Sequence, residues 1–434
     1  MRIFLTIWLG QLGSNVGSRM TSFAMTLWAW DLTQQATALA LVGFFTQLPQ
    51  MLSTPFAGVI VDRYSRKQLM MAGDAAAALS TVVILWLYTS DQLQIWHLYG
   101  AGAINGMFGQ LQQLAYTASM TLMVPERQYS RALSLNFLSG YGANILGPAI
   151  AGAVYPLIGL TGILLIDLGT FAIATFTILS ATIPQPQTSH TPLSLRKDLA
   201  VGFHYLWQRP GMVGILVVAA LFQFIFQITS ALHAPMILAR SGGSAQVLAT
   251  VYATAGIGGV VGAALITTWG GPRPRIYGVL LGMIGAGLSR TGFSVGRSLA
   301  LWMPMQFCLS FNFPMMGSSG NAIWLSKVPP DLQGRVFSTS VLIKGLVSPL
   351  GRLLAGPLAD RVFEPAMMPG GRLVPIFGSL FGTGHGAGMA VICGIASIAM
   401  TLVGLCGFLY QPLRTMETTL PDHGAASQRR LGDE

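Results

Sequence analysis

Apolar residues in this chain gather into stretches of about 20, the length that crosses the ~30 Å hydrocarbon layer of a bilayer as a helix. Short segments rich in Lys, Arg, Pro, Asp and Gly separate them. The pattern predicts twelve helical spans, at 3–30, 36–61, 68–89, 95–123, 131–156, 161–183, 211–239, 246–269, 275–293, 298–326, 335–362 and 386–411. Arg290 and Arg297 crowd the outer end of the ninth. The longest polar connection, 184–210, holds Pro184, Pro186, Pro192, Arg196, Lys197, Asp198 and Arg209, and it divides the spans six and six. The expected organisation is an N-terminal six-helix half over 1–183, a cytoplasmic linker over 184–210 and a C-terminal six-helix half over 211–411. A polar, disordered cytoplasmic tail follows over 412–434. Met1-Arg2 and the apolar run behind it resemble a signal peptide only superficially. Gln11, Ser14, Asn15 and Arg19 interrupt the run and no small-residue cleavage site follows, so it reads as a first membrane helix.

Composition narrows the class. Charged residues make up 9% of the chain, against roughly 25% in soluble domains. Hydrophobic residues reach 52%, which excludes a disordered polymer as the reason for the 52 glycines; close packing of membrane helices explains them better. With the N-terminus inside, sixteen of the 24 Lys and Arg fall in inner segments and five in outer ones, with Arg19, Lys344 and Arg352 inside spans. That bias sets both termini in the cytoplasm. The net charge of +10 therefore reflects topology. It forms no basic stripe or arm, so nucleic acid is not an expected partner. Cys308, Cys393 and Cys406 lie in apolar stretches at unrelated spacings, with no metal-ligand or disulfide pattern. No metal and no cofactor are expected. A nucleotide-cradling loop and a supported Ser/His/Asp arrangement are likewise not found, which argues against an enzyme.

Two short motifs stand out. Gly58-Val-Ile-Val-Asp62-Arg63-Tyr-Ser-Arg66-Lys67 closes the second span. The positive-inside rule accounts for its three cations, but not for an acid four residues after a glycine suited to close helix approach. The fifth span carries Gly142-Ala-Asn-Ile-Leu-Gly147-Pro148-Ala-Ile-Ala-Gly152, whose Gly-Pro pair can bend a helix and whose small residues admit a neighbour. The first motif resembles the loop between helices two and three of the major facilitator superfamily. The second is similar to the fifth-helix pattern of its exporting branches, with the usual double glycine after the proline reduced to Ala151-Gly152.

Asn321-Ala-Ile-Trp324, Lys327-Val, Asp331-Leu-Gln-Gly334-Arg335-Val-Phe337 and Gly356-Pro-Leu-Ala-Asp360-Arg-Val-Phe-Glu364-Pro resemble the secretion-type exporter subgroup. That subgroup includes macrolide and enterobactin exporters, often classed as drug:proton antiporters. The resemblance runs from the first span to about Gly388. It implies an all-α membrane protein, the major facilitator fold, with two six-helix halves around a central cavity that rock to alternate access. Helices one, four, seven and ten would line the cavity. The fourth span, Asn105 to Val124, lacks the arginine that many proton-coupled relatives carry there, so their usual coupling route has no counterpart at that site.

On those helices polar groups recur at helical spacing. The fourth span aligns Asn105, Gly109, Gln112 and Tyr116, and the seventh aligns Gln223, Gln227 and Ser230. The tenth aligns Asn312, Met316 and Ser319 beside Phe307, Phe311 and Met315. Such groups serve either a large amphiphilic ligand or hydrogen bonds between helices. Arg19 and Lys344 are intramembrane cations and functional candidates by default, with Ser340, Ser348 and Arg352 in a row about Lys344. Asp74 and Asp167 are expected as structural partners on peripheral helices, and His233 as an interfacial histidine. A path with cations and few deep carboxylates favours anionic, zwitterionic or neutral amphiphiles. The expected function is export of such a solute across the cell inner membrane by a monomer exchanging it for protons. An uptake symporter of the same fold and a non-transporting membrane sensor or assembly factor are the alternatives.

Overall fold

A backbone in lipid must satisfy its own N–H and C=O groups, and helices do so within a single segment. The computed structural model describes residues 2–181 and 195–419, and its long elements are all helices. They are α1 (Arg2–Thr33), α2 (Ala36–Arg63), α3 (Arg66–Thr89), α4 (Ile95–Met123), α5 (Tyr129–Ser180), α6 (Leu195–Trp207), α7 (Pro210–Ala231), α8 (His233–Ser241) and α9 (Ala245–Trp269). After them come α10 (Arg275–Val295), α11 (Leu299–Lys327), α12 (Pro330–Leu358), α13 (Glu364–Met367), α14 (Val374–Phe381), α15 (Ala387–Leu409), α16 (Gln411–Arg414) and α17 (Met416–Thr419).

Seven helices among the described residues are long and apolar enough, by length and composition, to cross a membrane. One of them, Arg131–Ser180, has 50 residues, about 75 Å of helix and two crossings. It breaks at Gly159, whose φ of 63° suits a residue without Cβ. The fifth and sixth spans are therefore two arms of α5 joined by a one-residue turn. The helices α1, α2, α4 and α11 are as long, with 32, 28, 29 and 29 residues, but are interrupted by polar side chains. Counting them gives the twelve spans, with α9, α10, α11, α12 and α15 as the eighth to twelfth.

The helices pack into two compact units. Unit 1 holds 1–192 and 234–256, and unit 2 holds 193–233 and 257–434. The split differs from the sequence halves because α8 and the start of α9 pack with the first unit: Gly152 of α5 meets Ala249, and Phe23 of α1 meets the Tyr252 ring edge-on. In unit 1, α1 lies against both arms of α5, α2 against α4, and α3 against α4 and α5. In unit 2, α7 lies against α12 and α15, and α10 against α11 and α15. Gly258 and Gly262 bring α9 onto the backbone of Phe307 and Phe311 in α11. Span for span the two units repeat one adjacency: first on fifth and sixth, second on fourth, third on fourth and sixth.

Four segments depart from the sequence reading. The seventh span is not one helix, since α7 stops at Ala231 and α8 restarts at His233. The eleventh continues past α12 through a π-helical turn, Ala359–Phe363, into α13. In the linker, residues 182–194 lie outside the described residues, but α6 is an ordered helix. Its Tyr205 and Leu206 are buried, and Gly202 sits against Arg335 and Thr339 of α12. The tail is not disordered from its start, because Leu413 and Met416 are buried and Gly211 of α7 abuts Met416. Residues 420–434 lie outside the described residues.

Candidate functional site

Polar side chains in unit 1 converge on α1. Asp74 of α3 is 2% exposed. It accepts hydrogen bonds from Gln112 Nε2 of α4 at 2.5 Å and from Gln11 Nε2 of α1 at 3.1 Å, and Gln112 also reaches Gln11 Oε1 at 3.3 Å. Asp167, on the second arm of α5, is 1% exposed. It accepts from Thr21 at 2.9 Å, Thr81 at 3.2 Å and Ser18 at 3.5 Å. Burying these carboxylates would be costly without such donors. Both acids are thus used to tie α1, α3, α4 and α5 together.

The polar row expected on α4 divides. Gln112 is engaged with Asp74, and Tyr116 is buried among Phe4, Ile7, Met70 and Met120, its hydroxyl without a partner among the described residues. Asn105 and Gly109 are exposed. On α1, Asn15, Arg19 and Ser22 are exposed along one face. Asn15 donates to Ser139 at 3.4 Å, while the Arg19 guanidinium has no hydrogen-bond partner among the described residues. The Gln11–Gln112 bond fixes the register of two antiparallel helices. Arg19 lies about 12 Å along α1 from it and Asn105 about 10 Å back along α4, so both sit at one depth.

The motif at the α2–α3 turn is anchored by its cations. Lys67 Nζ donates to Leu179 O and Ala181 O, each at 2.8 Å, at the C-terminal end of α5, where a helix dipole favours positive charge. Arg66 donates to Ala118 O at 2.6 Å, and Arg63 is exposed. A Cβ on Gly58 would meet nothing within 4 Å among the described residues, which make no close approach there. The Asp62 side chain lies outside the described ones. In the fifth-helix motif Gly147 takes the Arg19 Cβ and the Val16 carbonyl of α1, and Pro148 is buried.

In unit 2 the polar residues of α7 meet α12. Gln223 donates to Ser348 at 3.3 Å, and Gln227 Oε1 accepts from Arg352 Nε at 3.2 Å. Gly351 lets the helices touch, a Cβ there meeting Phe224 O at 2.6 Å. Lys344 is half-buried one turn before Ser348, and its ammonium has no partner among the described residues. The Ser340 hydroxyl, one turn earlier, is buried and also without a hydrogen bond. Asn312 and Met316 of α11 face α10, where Gly285 and Gly282 receive them. Asn312 Nδ2 also donates to Cys308 O at 2.7 Å.

Two arrangements were not legible in the sequence. His233 is buried within the protein: Arg290 Nη1 meets its Nδ1 at 2.7 Å, while Arg290 Nη2 donates to Thr229 O at 2.5 Å. Arg290 thus fastens α10 to the α7–α8 break. Glu364 accepts from the backbone N–H of Gly386 at 3.1 Å and of Met389 at 2.8 Å, capping α15. Their only sequence signal was a charge within or beside an apolar stretch. No group of three or more His, Cys, Asp or Glu able to hold a metal occurs among the described residues. The chemistry on offer is recognition by amides, hydroxyls and the intramembrane cations Arg19 and Lys344, which have no partner among the described residues.

Macrolide efflux protein A of Streptococcus pyogenes is 25% identical over 365 residues, covering 83% of this chain and 90% of that protein. Multidrug efflux pump Tap of Mycobacterium bovis is 24% identical over 338 residues, covering 74% of this chain and 78% of its own. A bacterial homologue of the human lysosomal transporter Spinster, solved in an inward-facing conformation, matches with a TM-score of 0.71 at 14% identity. The match covers 95% of this chain and 97% of that one, and it speaks for the fold alone. The family model for the Major Facilitator Superfamily matches residues 7–351. Twelve helical spans among the described residues, in two repeating units, and a family match over most of the length make this chain a member of the Major Facilitator Superfamily, a multi-pass membrane transporter and not an enzyme.

Proposed function

We propose that the protein exports an amphiphilic small molecule, neutral or anionic, from the cytoplasm across the inner membrane by alternating access, in exchange for protons. Both termini lie in the cytoplasm in this reading. The observation that carries it is the division of intramembrane charge. Asp74 and Asp167 are consumed by hydrogen bonds within unit 1, whereas Arg19 and Lys344 keep unpaired cationic groups. Arg19 shares its depth with exposed Asn105. An intramembrane cation without a partner attracts an anionic or strongly dipolar group and repels a cationic drug. The efflux relatives support the outward direction.

Inside-out vesicles test the reading, with solutes that build up in cells lacking the gene. An acid lumen should drive their accumulation, and a K⁺/H⁺ ionophore should abolish it. Accumulation that ignores the ionophore would overturn proton exchange. Solutes depleted from deletion cells, and not retained, would overturn export.

A further inference from the structure

We propose that α6 is an interfacial anchor whose outer face inserts into the anionic lipid surface of the membrane beside unit 2. The helix has two opposed faces. Gly202, Tyr205 and Leu206 turn towards the protein, Leu206 being 2% exposed. On the other side Phe203 is 52% and Trp207 70% exposed, and their rings stack with centroids 5.6 Å apart and planes at 18°. A stacked aromatic pair left open to water would be an unfavourable surface for a short helix. Trp at the headgroup level of a bilayer is favourable, since its ring is apolar and its N–H is polar.

The position of α6 selects the bilayer as occupant. Trp207 precedes by three residues Pro210, the first residue of α7 and of an apolar membrane-crossing stretch. Three residues reach at most ~10 Å, so the aromatic pair cannot leave the membrane boundary. Tyr205 Oη donates to Lys327 O at 2.9 Å, at the last residue of α11, and Gly202 rests on Arg335 near the start of α12. The helix therefore lies across the ends of three membrane helices on one membrane face. The sequence of the helix and its exit fits an acidic surface: over 195–209 it carries Arg196, Lys197 and Arg209 and a single acid, Asp198. Arg209 is held in place, its guanidinium 3.7 Å from the Tyr205 ring centre and Nη1 donating to Tyr205 O at 3.0 Å. A basic helix with Phe and Trp on one side is built to lie in the interface plane.

Spin labels on the full-length chain in lipid vesicles test this, after replacing Cys308, Cys393 and Cys406 with alanine. Labels placed by Phe203→Cys or Trp207→Cys should meet oxygen in preference to a water-soluble nickel chelate, at a depth of about 5–10 Å. That preference should rise when phosphatidylglycerol is added, while a label at Gln208→Cys stays with the chelate. A label at 207 that meets the chelate as readily as one at 208 would mean a water-exposed face and overturn the proposal. Shielding at 207 from both reagents would mean packing on protein, and would overturn it too. Should the cysteine-free chain fold poorly, brominated phosphatidylglycerol should quench the wild-type chain more than Trp207→Phe. Equal quenching of the two would refute the anchor.

Discussion

Replacing Asp74 with alanine probes how unit 1 is held together. The substitution removes two amide–carboxylate bonds, from Gln112 at 2.5 Å and Gln11 at 3.1 Å. One bond between membrane helices contributes ~0.6 kcal/mol on average and up to ~1.7. Bonds to charged groups in water-soluble proteins contribute ~1.5–3. Two bonds to one buried carboxylate therefore correspond to a loss of about 2–3 kcal/mol for Asp74→Ala. Gln112→Ala removes the shorter of them and the 3.3 Å bond to Gln11, about 1.5 kcal/mol. The Gln112–Asp74 bond is lost in both single variants but only once in the double variant. The double variant should thus fall short of the sum by about 1 kcal/mol. Reversible unfolding in mixed micelles, with wild type, both singles and the double side by side, measures that difference. Additivity within about 0.5 kcal/mol would show that the two side chains do not interact and refute the assigned role. Gln112→Ala that unfolds like wild type but alters the KM for solute would return Gln112 to the transport path.

Glu364→Ala exposes two N–H groups at the start of α15 and should cost about 1–2 kcal/mol, read as a lower Tm of the purified protein. Glu364→Gln should recover part of it. Gly106→Val drives side-chain atoms into Thr46 O of α2 and should cost about 1–3 kcal/mol by overpacking, whereas Gly58→Val should leave Tm near wild type. Lys344→Ala should weaken transport of anionic solutes more than neutral ones in vesicles; equal loss for all would reassign Lys344 to packing. Asp62→Asn should reach the membrane at normal level but transport poorly, since about 1.4 kcal/mol shifts a two-state balance tenfold. Wild-type rates at matched protein level would show Asp62 to be no more than part of a solvated charged loop.

Span lengths and the six-and-six division were legible because a bilayer imposes a length on each apolar run. Even the Gly159 turn falls between the spans expected at 131–156 and 161–183. The polar rows were less legible for a geometric reason. Periodicity gives an azimuth on a helix, but the neighbour at that azimuth changes along its length. On α4, Gly73 of α3 abuts Gln112, so that end of the row is covered, while Asn105 and Gly109 on the same face are open. On α12 the row around Lys344 behaves likewise: Ser348 and Arg352 are taken up by α7 and Lys344 is not. The short helix α6 and the packed start of the tail escaped notice because their few buried residues lie between polar flanks.

The polar side of α1 also sets a timetable for synthesis. Thr21 and its partner Asp167 are 146 residues apart, and Gln11 and Asp74 are 63 apart. A ribosome adding ~5–20 residues per second leaves Thr21 waiting about 7–30 s before Asp167 is made. Through that interval the hydroxyls of Ser18 and Thr21 have no carboxylate to meet. Though made well before its partners, α1 is therefore seated late, and its polar face must be sheltered until the second arm of α5 arrives.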